Sequence, residues 1–239
     1  MTDSSIRLFV DMPLIPGLGL GLSDKQAHYL GNVMRLSTGD QILLFNGVQG
    51  EWSARIKALS KGVALLELLK QTRAQAPEPD CWLCFALLKR QKTDLVVEKA
   101  TELGVSVIQP VITARTQADH VNLDRLRAIS IEAAEQCERL AVPEIRPPVK
   151  LAALLAGWPA DRALYLADER RTEKYLRPSA EPSALLVGPE GGFTGAEIAA
   201  IGANRAVIRV SLGQRILRAE TAAVAGLALL LATDPPQES

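Results

Sequence analysis

From Cys81 onward the sequence keeps one rhythm: a short apolar run, a turn, a helical stretch, then another apolar run. "CWLCFALL", "VSVIQPVI", "RALYLAD", "SALLVG" and "AVIRVSL" read as buried strands. Between and after them, "TDLVVEKATELG", "NLDRLRAISIEAAEQCERL", "LAALLAGW", "TGAEIAAI" and Ile216 to Ala232 read as helices. Thr93 or Asp94 is expected to cap the first of these, and Gly104 to stop it. Strands joined through helices predict a parallel sheet covered on both faces.

The first 70 residues differ. "RLFVD" is a short strand and "SDKQAHYLGNVMRL" one helix with Ser23 as N-cap. After the turn at Thr38-Gly39-Asp40, "QILLFNG", "EWSARIKAL" and "GVALLELL" follow in quick succession, with Asn46-Gly47 as a hairpin-type turn. Closely spaced strands with tight turns predict a small barrel or sandwich. "KQTRAQAPEPD" is polar and proline-containing and reads as a linker. The expected division is a small β domain over 1–70, a linker over 71–80 and an α/β domain over 81–239.

Charge excludes little by itself. The chain has 27 Lys and Arg against 27 Asp and Glu, so any nucleic-acid surface must be a local patch. "MTDSSIRLFVD" lacks the basic segment and apolar run of a signal peptide, and Thr221 to Thr233 is too short to span a bilayer. No membrane partner is expected, and 3 cysteines fit a cytoplasmic protein. Cys81 and Cys84 form a lone C-x-x-C inside a predicted strand, where positions three apart face opposite sides. They read as small buried residues. With only His28 and His120 beside them, no metal site is expected.

The glycine-rich stretch "ALLVGPEGGFTGAEIAAI" narrows the chemistry. Thr194-Gly195-Ala196-Glu197 has the capping-box pattern, so a helix should begin just after Phe193. Gly188 to Gly192 then form a bend at the carboxyl end of a strand, where open α/β sheets bind ligands. The alternative is a purely structural turn. No Lys-Ser/Thr pair follows the glycines, so this is not a phosphate-cradling P-loop, and the spacing is not G-x-G-x-x-G. Glu190 would repel a pyrophosphate, which favours a neutral, zwitterionic or cationic ligand. A second unit, "VSLGQRILRAETAAVAGLALLLA", places Gly213, Arg215, Arg218 and Glu220 between a strand and an apolar helix. Arginines in a helix's first turn oppose its dipole, which suits a task such as gripping an anion. The alternatives are pairing with Glu220 or simple solvation.

Together these segments resemble the C-terminal signature of the SPOUT class of RNA methyltransferases. More closely, the chain resembles the bacterial 16S ribosomal RNA uridine-N3 methyltransferase family, through "RLFV", "HYLGNVMRLSTGD", "KATELGV", "PVITART", "EAAEQCER" with "VPEI", "LLVGPEGGFTGAEI" and "SLGQRILRAETA". The resemblance implies a PUA-like β-barrel followed by an α/β domain, a SPOUT-type parallel sheet with a trefoil knot. It further implies S-adenosylmethionine as methyl donor, 16S ribosomal RNA of the small ribosomal subunit as partner, and a homodimer. The last helix, rich in alanine and leucine, is a natural dimer surface or an intradomain core element. "PVITART" departs from the family pattern at Ala114, which leaves Arg115 untouched.

On this resemblance the cofactor-binding candidates are Val187, Gly188, Pro189, Glu190, Gly191, Gly192, Leu212, Gly213, Arg215, Ile216 and Leu217. Uracil N3 is a poor nucleophile until its proton leaves, so a base or a charge-stabilising cation is needed. Arg215 and Arg218 are the candidate stabilisers, and Glu190 and Glu220 are candidate bases or orienting groups. Arg7, His28, Arg35, Arg115 and Arg139 are the RNA-binding candidates, with Lys89 to Lys92 extending the patch. In the "EQCER" segment, Glu135 and Arg139 also have the spacing of a helical ion pair. The rivals are a related knotted methyltransferase acting on transfer RNA or a ribose hydroxyl, and a non-catalytic RNA-binding or ribosome-assembly module.

Overall fold

The computed structural model describes residues 6–17, 19–116, 120–168 and 174–232. The five residues before Ile6 and Thr233 at the end of the long apolar stretch lie outside the described residues. Two compact units form: 1–77 with 134–142, and 78–133 with 143–239. The return of 134–142 to the first unit has no counterpart in the sequence reading.

The first unit is one mixed sheet. Its strands are β1 (Arg7–Phe9), β2 (Gly19–Gly21), β3 (Gln41–Phe45), β4 (Glu51–Ser60) and β5 (Val63–Arg73), in the order β1-β3-β4-β5-β2. β5 runs to Arg73, into the segment read as linker. Three register shifts in the β4–β5 ladder bend the sheet. Alternate residues of the strands, Ile42, Leu44, Ala54, Ile56, Ala64 and Leu66, enclose the core. Helix α1 (Asp24–His28) starts at a complete Ser23–Gln26 capping box and continues as a π-helical turn over Tyr29–Val33.

A buried ionic cluster closes this unit. The Arg7 guanidinium donates to Glu51 at 2.7 Å, to the carbonyls of Ala134 and Glu135 at 2.9 and 3.0 Å, and to that of Arg139 at 2.8 Å. It also lies 4.5 Å from the Phe45 ring centroid. Glu51 accepts from Arg73 and Thr72 as well. Burial alone would raise the Glu51 carboxyl, but hydrogen bonds from Arg73, Arg7 and Thr72 outweigh it and hold it below its ordinary range.

The second unit carries β6 (Cys81–Ala86), β7 (Val107–Ile112), β8 (Glu144–Ile145), β9 (Val149–Lys150), β10 (Ala163–Ala167), β11 (Ser183–Val187) and β12 (Val207–Val210). Their order is β12-β10-β11-β6-β7-β8, with β9 also on β7, and the ladders are parallel. Leu83, Phe85, Leu185 and Val187 face one core, shared with α2 (Arg90–Leu103), α3 (Leu123–Gln136) and α6 (Ala219–Leu230). Cys84, Leu164, Leu166, Ala184 and Leu186 face the other, shared with α4 (Leu151–Ala156) and α5 (Gly195–Ala203). Cys81 and Cys84 accordingly enter opposite cores, and burial pushes their thiols up to about 11 and about 12. No helix among the described residues is long and apolar enough to cross a membrane.

Three local expectations are corrected. α2 begins at Arg90 with Lys89 as its cap, because the Thr93 hydroxyl donates back to the Leu88 carbonyl inside the helix. The last helix begins at Ala219, because Arg218 keeps an extended backbone at φ −65° and ψ 155°. α3 ends at Gln136, short of the Leu140 to which the sequence reading extended it, and Glu135 accepts the Phe9 amide at 2.9 Å.

Candidate functional site

The strand order fixes where the site lies. β10 sits between β11 and β12, so the bends that follow those two strands flank the carboxyl end of β10. A pocket of about 290 Å³ opens there, lined by the end of β10, by both bends and by the start of α6.

The bend after β11 is held by short-range chemistry. The Gly192 amide donates to the Pro189 carbonyl at 2.8 Å, and Gly192 has φ 66°, a conformation that suits glycine. A side chain at Gly188 would place its Cβ 2.8 Å from the Phe193 ring. Thr194 caps α5, and the Glu197 carboxylate returns the bond to Thr194 at 2.8 Å while accepting the Ala114 amide at 2.7 Å. Burial would raise the Glu197 carboxyl, yet the amides of Thr194 and Ala114 hold it below its ordinary range. The contribution of Ala114 is therefore its backbone, consistent with a free choice of side chain there. Arg115 reaches the same bend by donating to the Gly191 carbonyl.

The second bend turns at Gly213, with φ 129°, and the Ser211 hydroxyl bonds both its amide and its carbonyl. Arg215 and Ile216 stand exposed on the pocket wall, and Arg218 occupies the N-cap position of α6. Arg215 thus lies in the bend before the helix, and Arg218, expected within the helix, stands at its cap. Among the described residues neither the Arg215 nor the Arg218 guanidinium has a hydrogen bond or ion pair, although the Arg218 carbonyl accepts the Ala222 amide at 2.7 Å.

Glu220 does not pair with them. Lys92 of α2 lies 2.9 Å from Glu190 and 3.3 Å from Glu220, joining the first bend to the first turn of α6. The hydrogen bond from Lys92 holds the Glu190 carboxyl below its ordinary range, and the same bond raises Lys92. Glu220 keeps its Oε2 buried without a hydrogen bond.

Of the eleven cofactor candidates, Val187, Gly188, Pro189, Glu190, Gly192, Leu212, Gly213, Arg215, Ile216 and Leu217 line the pocket; Gly191 does not. Arg218 joins the lining. Sequence reasoning missed Asp168, Phe193 and Lys92. Asp168 ends a strand with no motif around it, and Lys92 was read only as part of a basic surface. The RNA-binding candidates separate. His28, Arg35 and Arg115 are exposed, whereas Arg7 is buried and Arg139 lends its carbonyl to Arg7. Arg7 is corrected to a structural residue: its donors are spent inside the first unit, leaving no open face for a phosphate.

Known proteins share this sequence and fold. Residues 75–231 match the family described as RNA methyltransferase domain, and 22–69 match the RNA methyltransferase PUA domain. The chain is 34% identical to "Ribosomal RNA small subunit methyltransferase E" of Rickettsia conorii, across 93% of both chains. It is 34% identical to the Synechocystis protein of that name, across 93% of this chain and 76% of that one. A putative methyltransferase of Legionella pneumophila, solved with bound cofactor SAM, superposes with TM-score 0.84 at 32% identity over 95% of this chain and 97% of that one. The ribosomal RNA small subunit methyltransferase E of Neisseria gonorrhoeae, bound to S-adenosyl methionine, gives 0.84 at 32% identity over 94% and 95%.

Proposed function

The chain belongs to the ribosomal RNA small subunit methyltransferase E family, and on that premise we propose that it methylates N3 of a specific uridine in 16S ribosomal RNA, using S-adenosylmethionine. The observation that carries the reading is the convergence of the 188–193 and 212–218 bends on one pocket. The lining fits that donor. Its acidic side chains, Asp168 and Glu190, suit a cation, and Gly188 leaves no room for a side chain between bend and ring. When bound, the donor supplies an electrophilic methyl group on a sulfonium.

The protein's own residues have separable tasks. Arg215 and Arg218, unpaired at the pocket, stabilise negative charge on the uracil oxygens as the N3 proton leaves. Glu190, tied to Lys92 and held below its ordinary range, orients the bend; a carboxyl so lowered is a weak proton acceptor at neutral pH. Glu220 lies outside the pocket lining, with Oε2 buried and Oε1 3.3 Å from Lys92, so it steadies the start of α6 and does not meet the substrate. His28, Arg35 and Arg115 offer exposed cations for RNA. The same reading carries a trefoil knot in the α/β domain, a homodimer built on the outer face of α6, where Leu229 is exposed, and action in the cytoplasm.

Nucleoside analysis of small-subunit ribosomal RNA from cells lacking the protein tests the substrate: one N3-methyluridine should vanish, and an unchanged profile rejects it. Arg218→Ala should lower kcat by about 10²-fold or more while changing donor affinity little. Equal loss of both rejects the role given to Arg218.

A further inference from the structure

We propose that Asp168 binds the ribose diol of the adenosyl donor, an inference that rests on the donor reading above. Asp168 follows the last residue of β10, and its amide donates to the Val210 carbonyl at 2.9 Å, continuing the ladder to β12. Because β10 lies between β11 and β12, this residue stands between the two bends at the floor of the pocket. The residue belongs to the lining, and its side chain is only 6% exposed. Arg209 lies 3.5 Å from the carboxylate and offsets part of the cost of burying its charge.

The chemistry of the lining singles it out. Among the described residues that line the pocket, the polar side chains are Asp168, Glu190, Arg215 and Arg218. The two arginines are donors only, and Glu190 is taken by Lys92. Glu190 is also the more exposed of the two carboxylates, and Asp168, paired with Arg209, is the buried one of the lining. An adenosyl donor has adenine at one end, a methionyl chain at the other and ribose between. A ligand spanning both bends sets its middle over the end of β10. A carboxylate with two acceptor oxygens matches two neighbouring hydroxyl donors, as acidic residues do for ribose in dinucleotide sites.

Calorimetric titration of the full-length protein with S-adenosylmethionine, S-adenosylhomocysteine, 5′-methylthioadenosine and its 2′,3′-dideoxy derivative tests the assignment. The wild type should bind 5′-methylthioadenosine about 10- to 100-fold more tightly than the dideoxy compound, the range of a hydrogen bond to a charged group. Asp168→Asn should lose a similar factor for 5′-methylthioadenosine and S-adenosylhomocysteine alike, and should no longer distinguish the dideoxy compound. Weakening of S-adenosylhomocysteine alone would assign the carboxylate to the methionyl ammonium and overturn the proposal. So would an unchanged affinity in the variant. If Asp168→Asn fails to fold, the wild type decides by itself: equal binding of 5′-methylthioadenosine and its dideoxy derivative overturns the assignment. A wild type that binds S-adenosylmethionine not at all brings down the donor reading, an outcome distinct from either.

Discussion

Gly188→Ala gives the sharpest test of how the first bend shapes the pocket. The added Cβ would lie 2.8 Å from Phe193 Cε2, with the next two ring atoms at 3.2 and 3.3 Å. Carbon atoms pack comfortably at about 3.5–4.0 Å, so the ring must withdraw by roughly 0.7 Å. Phe193 is half-buried against the core that includes Leu186 and Ile201, and it also lines the pocket, so it cannot move without cost to one or the other. Overpacking of this kind costs about 1–3 kcal/mol. Gly195→Ala is the control, since nothing lies within 4 Å of its Cβ and it opens α5. It should be neutral or stabilise by up to about 1 kcal/mol. Thermal denaturation and calorimetric titration with S-adenosylmethionine measure both quantities. Gly188→Ala should melt lower and bind the donor about tenfold more weakly, whereas Gly195→Ala should do neither. Adding Phe193→Leu to Gly188→Ala removes the ring edge and should recover part of the lost stability relative to Phe193→Leu alone. A Gly188→Ala protein with wild-type melting and binding, or a double variant with no recovery, refutes the steric argument.

Arg7→Met should destabilise the first unit by about 3–5 kcal/mol in urea titration, because it strands three carbonyls and one face of buried Glu51. If Arg7 instead contacts RNA, the variant will keep its stability and lose RNA affinity. The Glu51 carboxyl lies below its ordinary value of 4.5 when folded, so its contribution is complete above that pH and is lost as pH falls through the folded value. The stability gap between wild type and Glu51→Gln should accordingly narrow as pH drops below 4.5; a gap that stays constant rejects the linkage. Cys81 and Cys84, with thiols pushed up to about 11 and about 12 and fully packed, should resist a thiol reagent at pH 8 until the α/β unit unfolds. Half-buried Cys137 should react first, and prompt labelling of either buried cysteine contradicts the packing.

What the sequence made legible follows the range of the forces involved. The caps at Ser23 and Thr194 obey a rule confined to four residues, and both appear as complete capping boxes. The parallel sheet follows from the alternation of short apolar runs with helices, and the opposite burial of Cys81 and Cys84 follows from strand periodicity. Long-range partners leave no such trace. Arg7 is 44 residues from Glu51 and 127 from Ala134, so its burial could not be told from the exposure of any other arginine. Lys92 is 98 residues from Glu190, and its basic neighbours at Lys89 and Arg90 suggested a surface patch instead. The helix starts failed for a related reason. Neither α2 nor α6 has a side-chain cap, so the polar residues nearest each apolar pattern misplaced the first turn.

Charge is distributed unevenly around the pocket, and the unevenness bears on which partner each group serves. The acidic side chains are compensated within the protein: Asp168 by Arg209, Glu190 and Glu220 by the single ammonium of Lys92, and Glu197 by two backbone amides. One ammonium against two carboxylates leaves that cluster with a net negative charge of about one, in keeping with a cationic donor. Arg215 and Arg218 are the opposite case, since both are exposed and neither is compensated among the described residues. A buried cation without a partner would be costly, but an exposed one at the pocket mouth costs little and stays available. Of these carboxylates, Asp168 and Glu190 line the pocket and give it the negative character that a cationic ligand needs. The two open arginines are suited to whatever anion arrives from outside it, which in a methyl transfer to RNA is a phosphate or the deprotonated base.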